Sequence, residues 1–192
     1  MQDYEECRKV VDETMDTYGR IDVLVNNAGV VSRRESFFKA DMEDIRRTMD
    51  INVMGTIHMI HAVSKYMADQ QKGTIVNIGS ICGTMANSES VGYHASKGAV
   101  EMVTKSLARE LSGYGIRVVC VSPGWVRTEM IDDTVAKIGA SLHMKGRIVE
   151  PEEIAGVVYL MTLDEASAVN GTTVMADDGY SAFKGIDGGQ RL

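Results

Sequence analysis

Tyr93 and Lys97 stand four residues apart in an apolar-periodic stretch, and Ser80 precedes the tyrosine by thirteen. On a helix, positions i and i+4 share one face. An ammonium therefore falls beside a phenol and favours its phenolate, which makes the phenol a usable acid or base toward an alcohol or ketone oxygen. The same thirteen-and-four spacing recurs at Ser167, Tyr180 and Lys184, so spacing alone does not choose. Context does. Ser80 closes the strand-like run GTIVNIGS, and Tyr93 opens the amphipathic stretch VGYHASKGAVEMVTKSLARELSGYG. The first three side chains can then converge at a strand's carboxyl end. Ser167 sits in the polar run DEASAVNG, and Tyr180 and Lys184 lie in a Gly-containing tail, where solvated surface is expected.

The elements that must hold the first triple follow from periodicity. A helix is expected from about Tyr4 to Tyr18, leading through Gly19 into the strand IDVLVNNAG, and a long helix from about Asp41 to Gln70. Next come the strand GTIVNIGS, the Tyr93 helix over 91–112 and the strand IRVVCVSPG. After a variable stretch, Pro151 opens a helix at EPEEIAGVVYLM and a final strand lies near TTVMAD. Strands alternating with helices imply an α/β fold, a doubly wound, Rossmann-like parallel sheet covered on both faces. The strand cores are nearly continuous in Val, Ile and Leu, as strands buried on both faces require. One domain is expected over 1–192.

Composition excludes several classes. With 44% hydrophobic and 24% charged residues the chain reads as globular, not disordered. The 27 acidic residues outnumber 20 basic ones, and no Lys/Arg cluster is present to neutralise phosphates, so nucleic acid is not expected as a partner. No apolar run reaches the length of a membrane span and the start MQDYEECRKV has no signal-peptide pattern. A cytoplasmic location is expected. Cys7, Cys82 and Cys120 are scattered without a CxxC, which suggests neither a disulfide framework nor a zinc site. His58, His61, His94 and His143 show no metal-ligand spacing and are read as structural or surface residues, and Asp177 and Asp178 before Gly179 read as a turn.

Small residues and fixed turns gather where the strands end. Asn26, Asn27, Ala28 and Gly29 finish the first strand, and Ser122, Pro123, Gly124, Trp125, Val126, Arg127 and Thr128 follow the third. Such ends let a flat ligand approach the backbone. With NNAG at 26–29, DINVMGT containing Asn52, NIGS at 77–80, YHASK at 93–97 and SPGWVRT at 122–128, in this order, the chain resembles the short-chain dehydrogenase/reductase family in its compact single-domain form.

The resemblance implies an NAD- or NADP-dependent oxidoreductase that interconverts a secondary alcohol and a ketone. In it, Tyr93 exchanges a proton with the substrate oxygen, Lys97 lowers the phenol's pKa and holds the nicotinamide ribose, Ser80 hydrogen-bonds the substrate oxygen, and Asn52 anchors a water for proton relay. Asn26, Ala28 and Gly29 then lie under the adenosine side of the dinucleotide. Pro123, Gly124, Val126 and Thr128 line its nicotinamide end, near the only tryptophan, Trp125. Read from the residues alone, Asn52 could instead bridge backbone groups at a bend, and the strand-end segments could be plain turns.

The chain departs from the family at its front, where a strand, a Gly-rich turn and a helix should cradle pyrophosphate. No G-x-x-x-G-x-G or G-x-G-x-x-G occurs in 192 residues. Three strands of the family sheet are expected to be absent, leaving VLVNNA as an apolar edge prone to pairing. Two hypotheses follow: an oxidoreductase recorded without its amino-terminal segment, or a non-catalytic chain that partners a related subunit. The choice between NAD and NADP is hidden, since its determinant follows the second strand. The stretch from Glu129 to Val149, with Met130, Ile131, Ile138, Leu142 and Met144, reads as a substrate-covering lid whose apolar content favours a hydrophobic alcohol or ketone, with lipid-like 3-oxoacyl thioesters, steroids and sugars all left open. The apolar surface of the two long helices suggests a homo-oligomer, a dimer or tetramer.

Overall fold

In the computed structural model, residues 2–128, 131 and 133–182 are described. The first helix, α1 (Tyr4–Tyr18), begins where the Asp3 carboxylate accepts the Glu5 and Glu6 N–H groups at 2.8 and 3.3 Å, satisfying donors that a helix start leaves unpaired. It ends at Gly19, whose φ of 72° is the left-handed conformation a side chain resists. Four parallel strands follow in spatial and chain order: β1 (Val23–Asn26), β2 (Gly73–Ile78), β3 (Ile116–Pro123) and β4 (Thr173–Ala176). The register sets Asn26 against Asn77, Asn77 against Cys120, and Cys120 against Thr173, so the carboxyl ends lie along one edge of the sheet.

Side-chain alternation divides the core in two. Ile75, Ile116 and Val118 meet Ile60, Val63 and Met67 of α3 (Gly55–Gln70), Ala108 of α4 (Val91–Leu111) and Val11 of α1. Val76, Val119 and Val121 pack on the other face against Val157, Val158 and Met161 of α6 (Pro151–Thr162). Each fully buried valine contributes about 1.5–3 kcal/mol. β2 and β3 are therefore the anchored strands, while β1 is an edge on which Val23 and Val25 remain 39% and 41% exposed, as the sequence suggested.

Between β1 and β2 the expected single helix is three pieces. The helix α2 (Met42–Met49), capped by the Asp41 carboxylate on the Glu43 N–H at 3.0 Å, runs into a wide turn at Asp50–Met54 and continues as α3. The stretch read as a variable lid contains α5 (Asp133–Leu142). Met130, in that same reading, lies outside the described residues. Among the described residues no helix is long and apolar enough to cross a membrane, and Cys7, Cys82 and Cys120 form no disulfide.

Candidate functional site

Ser80 stands two residues beyond β2 and caps the short turn that follows, its hydroxyl accepting the Cys82 N–H at 3.1 Å. Tyr93 and Lys97 project from the first turns of α4, where Lys97 Nζ lies 5.7 Å from the Tyr93 ring centroid. All three line one cleft of about 1050 Å³, with Asn27 and Gly29 after β1 and Pro123, Gly124, Trp125, Val126 and Thr128 after β3. The first Ser-Tyr-Lys set is thus assembled at the strand ends. Of the second, Ser167 caps the turn Asp164–Ala166 away from this cleft. Tyr180 is half-buried and lines the cleft's far wall, not the solvated surface expected of it, because its ring packs 6.1 Å from that of His143. Lys184 lies outside the described residues.

Lys97 is 6% exposed and donates from Nζ to the Ile78 carbonyl at 2.8 Å. Burial without an acidic partner draws its pKa down to about 8. Burial has the opposite effect on Tyr93, whose phenol is raised above the ordinary tyrosine range, with Ser80's hydroxyl pulling it back. The acidifying influence that the sequence assigned to Lys97 comes here from Ser80. A buried ammonium with N–H groups to spare favours an electron-rich ligand.

Asn52 is 2% exposed within the wide turn. Its Oδ1 accepts the Val30 N–H at 2.8 Å, and its Nδ2 donates to the Val30 carbonyl at 2.9 Å and to Ser96 Oγ at 3.0 Å. Ser96 in turn donates to the Tyr93 carbonyl at 2.8 Å. The Asn52 carbonyl accepts the Thr56 hydroxyl at 2.9 Å. These contacts tie the β1-end loop to the first turns of α4, the backbone bridging that the residues alone also allowed, and the Asn52 backbone carbonyl, which accepts one hydroxyl, keeps a second lone pair. A Cβ on Gly29 would come within 3.2 Å of Asn52 Oδ1, so a side chain there would require Asn52 to shift by a few tenths of an ångström.

Two expected dinucleotide contacts are not brought to the cleft. Asn26 is 4% exposed and turns into the sheet, its Nδ2 donating to Asn77 Oδ1 at 2.8 Å, and Asn77 passes the chain on to Thr104 Oγ1 at 2.9 Å. Ala28 is exposed and outside the lining. Asn27, named among the strand-end residues but given no dinucleotide contact, does line it; strand alternation, with Asn26 inward, was the available signal.

The loop after β3 is held open by a long-range pairing. Val149 N–H donates to the Trp125 carbonyl at 2.8 Å and Arg127 N–H to the Val149 carbonyl at 2.9 Å. Backbone groups alternate sides along an extended segment, so the N–H and C=O of Val126 face away from Val149, where a flat amide could pair with both. Together with Lys97, Gly29 and Thr128, this lining fits a nicotinamide dinucleotide.

A protein-family profile described as enoyl-(acyl carrier protein) reductase matches residues 1–181. The 3-oxoacyl-acyl-carrier-protein reductase FabG of Thermotoga maritima is 36% identical over 180 residues, covering 92% of this chain and 73% of its own length. The 3alpha-hydroxysteroid dehydrogenase of Mediterraneibacter gnavus is 35% identical over 180 residues, covering 92% and 72%. Among solved structures, a gluconate 5-dehydrogenase from Burkholderia cenocepacia in complex with NADP and tartrate superposes with a TM-score of 0.90 at 28% identity, over 95% of this chain and 73% of that one.

Proposed function

Because this chain belongs to the short-chain dehydrogenase/reductase family, we propose that it interconverts a secondary alcohol and a ketone with NAD or NADP, using Ser80, Tyr93 and Lys97 as its reacting set. The observation that carries this reading is the meeting of a hydroxyl, a phenol and a buried ammonium with N–H groups beyond its bond to Ile78 in one cleft at the strand ends. When bound, the dinucleotide supplies or accepts the hydride.

In the reductive direction, Ser80 donates a hydrogen bond to the carbonyl oxygen and stabilises the charge that builds there. Tyr93, kept protonated by burial, delivers its proton to that oxygen; in oxidation the phenolate takes the proton back. Lys97 lies within 5.7 Å of the ring, stabilises the phenolate once formed, and offers spare N–H groups to ribose hydroxyls. Gly29 and Asn27 give the dinucleotide a close backbone approach, and Pro123, Gly124, Val126 and Thr128 seat its carboxamide end. Asn52 acts as a positioning residue through Val30 and Ser96, with Asn26 and Ala28 serving the turn itself.

The lining contributed by Met85, Trp125, Ile131 and Val135 is apolar, which favours a small hydrophobic ketone over a sugar. Exposed Met42, Met54 and Met102, at 64%, 41% and 62%, support self-association through α2–α4, to be read by light scattering. The functional test mixes the purified chain with NADPH or NADH and a panel of 3-oxoacyl thioesters, 3-oxosteroids and cyclic ketones, following loss of reduced-nicotinamide absorbance. Turnover that vanishes in Tyr93→Phe is expected; a wild-type chain that neither binds either dinucleotide nor reduces any of these ketones would overturn the reading.

A further inference from the structure

We infer that His143 is a positioning residue that clasps the loop after β3, so that α5 and the carboxamide seat at Val126 move as one unit; the inference rests on the dinucleotide reading above. His143 follows α5 directly and is 4% exposed. Its Nε2 accepts the Trp125 N–H at 3.1 Å, and its Nδ1 lies 3.0 Å from the Arg147 carbonyl. A carbonyl only accepts, so Nδ1 is the donor toward Arg147 and Nε2 the acceptor from Trp125. Both ring nitrogens are spent on backbone, an arrangement with no use for a solvent-facing histidine.

The ring reaches the residues immediately before Val126. A Cβ on Gly124 would stand 2.7 Å from His143 Nε2 and 3.0 Å from the Asp177 Cα, so glycine at 124 is what lets the imidazole seat against the loop. His143 then fixes the loop on the amino side of Val126, through the Trp125 N–H, while Val149 fixes it on both sides through the Trp125 carbonyl and the Arg127 N–H. The helix joins the same unit because the Trp125 side chain packs under Gly139 of α5, where a Cβ would be 2.7 Å from the indole Cγ. From the end of β4, Asp178 braces the segment that follows the ring: its carbonyl accepts the Met144 N–H at 3.2 Å and its carboxylate the Lys145 N–H at 2.7 Å. Without the Nε2 acceptor the Trp125 N–H is left unpaired in a part-buried position, and the seat loses its register.

Trp125 is the only tryptophan in the chain, so its emission reads the loop directly. Three substitutions separate the contacts: His143→Gln places an amide oxygen where Nε2 accepts, His143→Asn reaches only toward Arg147, and His143→Leu keeps bulk without either bond. Acrylamide quenching of the unliganded chain should match wild type in His143→Gln. It should rise about twofold in His143→Asn and His143→Leu, with affinity for NADPH, read by energy transfer from Trp125, falling about five- to tenfold in those two. Thermal melts check folding, and if the leucine variant does not fold, the glutamine and asparagine pair decides. Wild-type quenching in the asparagine variant, or equal disturbance in the glutamine variant, would overturn the clasp. Quenching that follows the expected order in a chain that binds no NADPH would instead remove the dinucleotide reading and leave the clasp standing.

Discussion

Two Ser-Tyr-Lys sets with identical spacing run through this chain, and the structure gathers the first into one cleft while Ser167 of the second stands outside it. At Ser80, Tyr93 and Lys97 the turn just beyond a largely buried strand delivers the serine and a 21-residue helix delivers the other two to the same cleft. At Ser167 and Tyr180 the carriers are three-residue turns, Asp164–Ala166 and Tyr180–Ala182, and the serine stands away from the cleft that the tyrosine touches. The difference teaches that spacing supplies a possibility and burial supplies the chemistry. Desolvation draws Lys97 down to about 8 and raises Tyr93, whereas a residue on a half-exposed turn keeps company with water.

The comparison breaks most visibly at the two tyrosines. Removing the Tyr93 hydroxyl as Tyr93→Phe should lower kcat about 10³-fold or more, while Tyr180→Phe keeps its ring against His143 and should stay within about twofold; steady-state rates with NADPH and a ketone decide. The serines give the next contrast. Ser80→Ala removes the hydrogen bond to the substrate oxygen and should cost about 10²-fold in kcat, against no measurable change for Ser167→Ala.

The pH dependence adds a further test, because Lys97 is buried. The reductive rate should fall about tenfold as pH rises through about 8, where Lys97 loses its charge, and Lys97→Arg should flatten that profile. Stability moves the other way. The folded pKa of about 8 lies below the ordinary 10.5, so between them the unfolded chain binds more protons and folding gains stability with rising pH. The cost of burying the ammonium is fully present below about 8, and Lys97→Met should erase the slope in urea melts across that window. Smallest is the effect on the scaffold under the first set: Asn52→Ala unpairs the Val30 backbone groups and should destabilise by about 1–3 kcal/mol in the same melts.

Much of this was legible in advance where local signals and tertiary packing agree. Asp3 and Gly19 bound α1, Pro151 opens α6, and the apolar runs of β2 and β3 mark buried parallel strands. The strand expected at IDVLVNNAG shortens to Val23–Asn26 because its flanks are claimed from afar, Ile21 by the Gln70 side chain at 3.0 Å and Val30 by Asn52. The pairing of Val126 with Val149 joins residues twenty-three apart without a periodic pattern, and His143 earns its burial from partners on three other segments. The direction of the Tyr93 pKa depends on how deeply the ring sits, a depth that the spacing of the motif does not encode.

The wide turn at Asp50–Met54 carries a consequence for anyone altering the length of this scaffold. A turn with one surplus residue rotates all that follows by about 100° relative to a regular helix. Ile60, Val63 and Met67 meet the sheet at the phase this rotation sets, while α2 keeps its own phase against α4. Deleting any one residue there would straighten the rod and swing that apolar stripe off the sheet, so the segment tolerates exchange of side chains more readily than loss of a peptide unit.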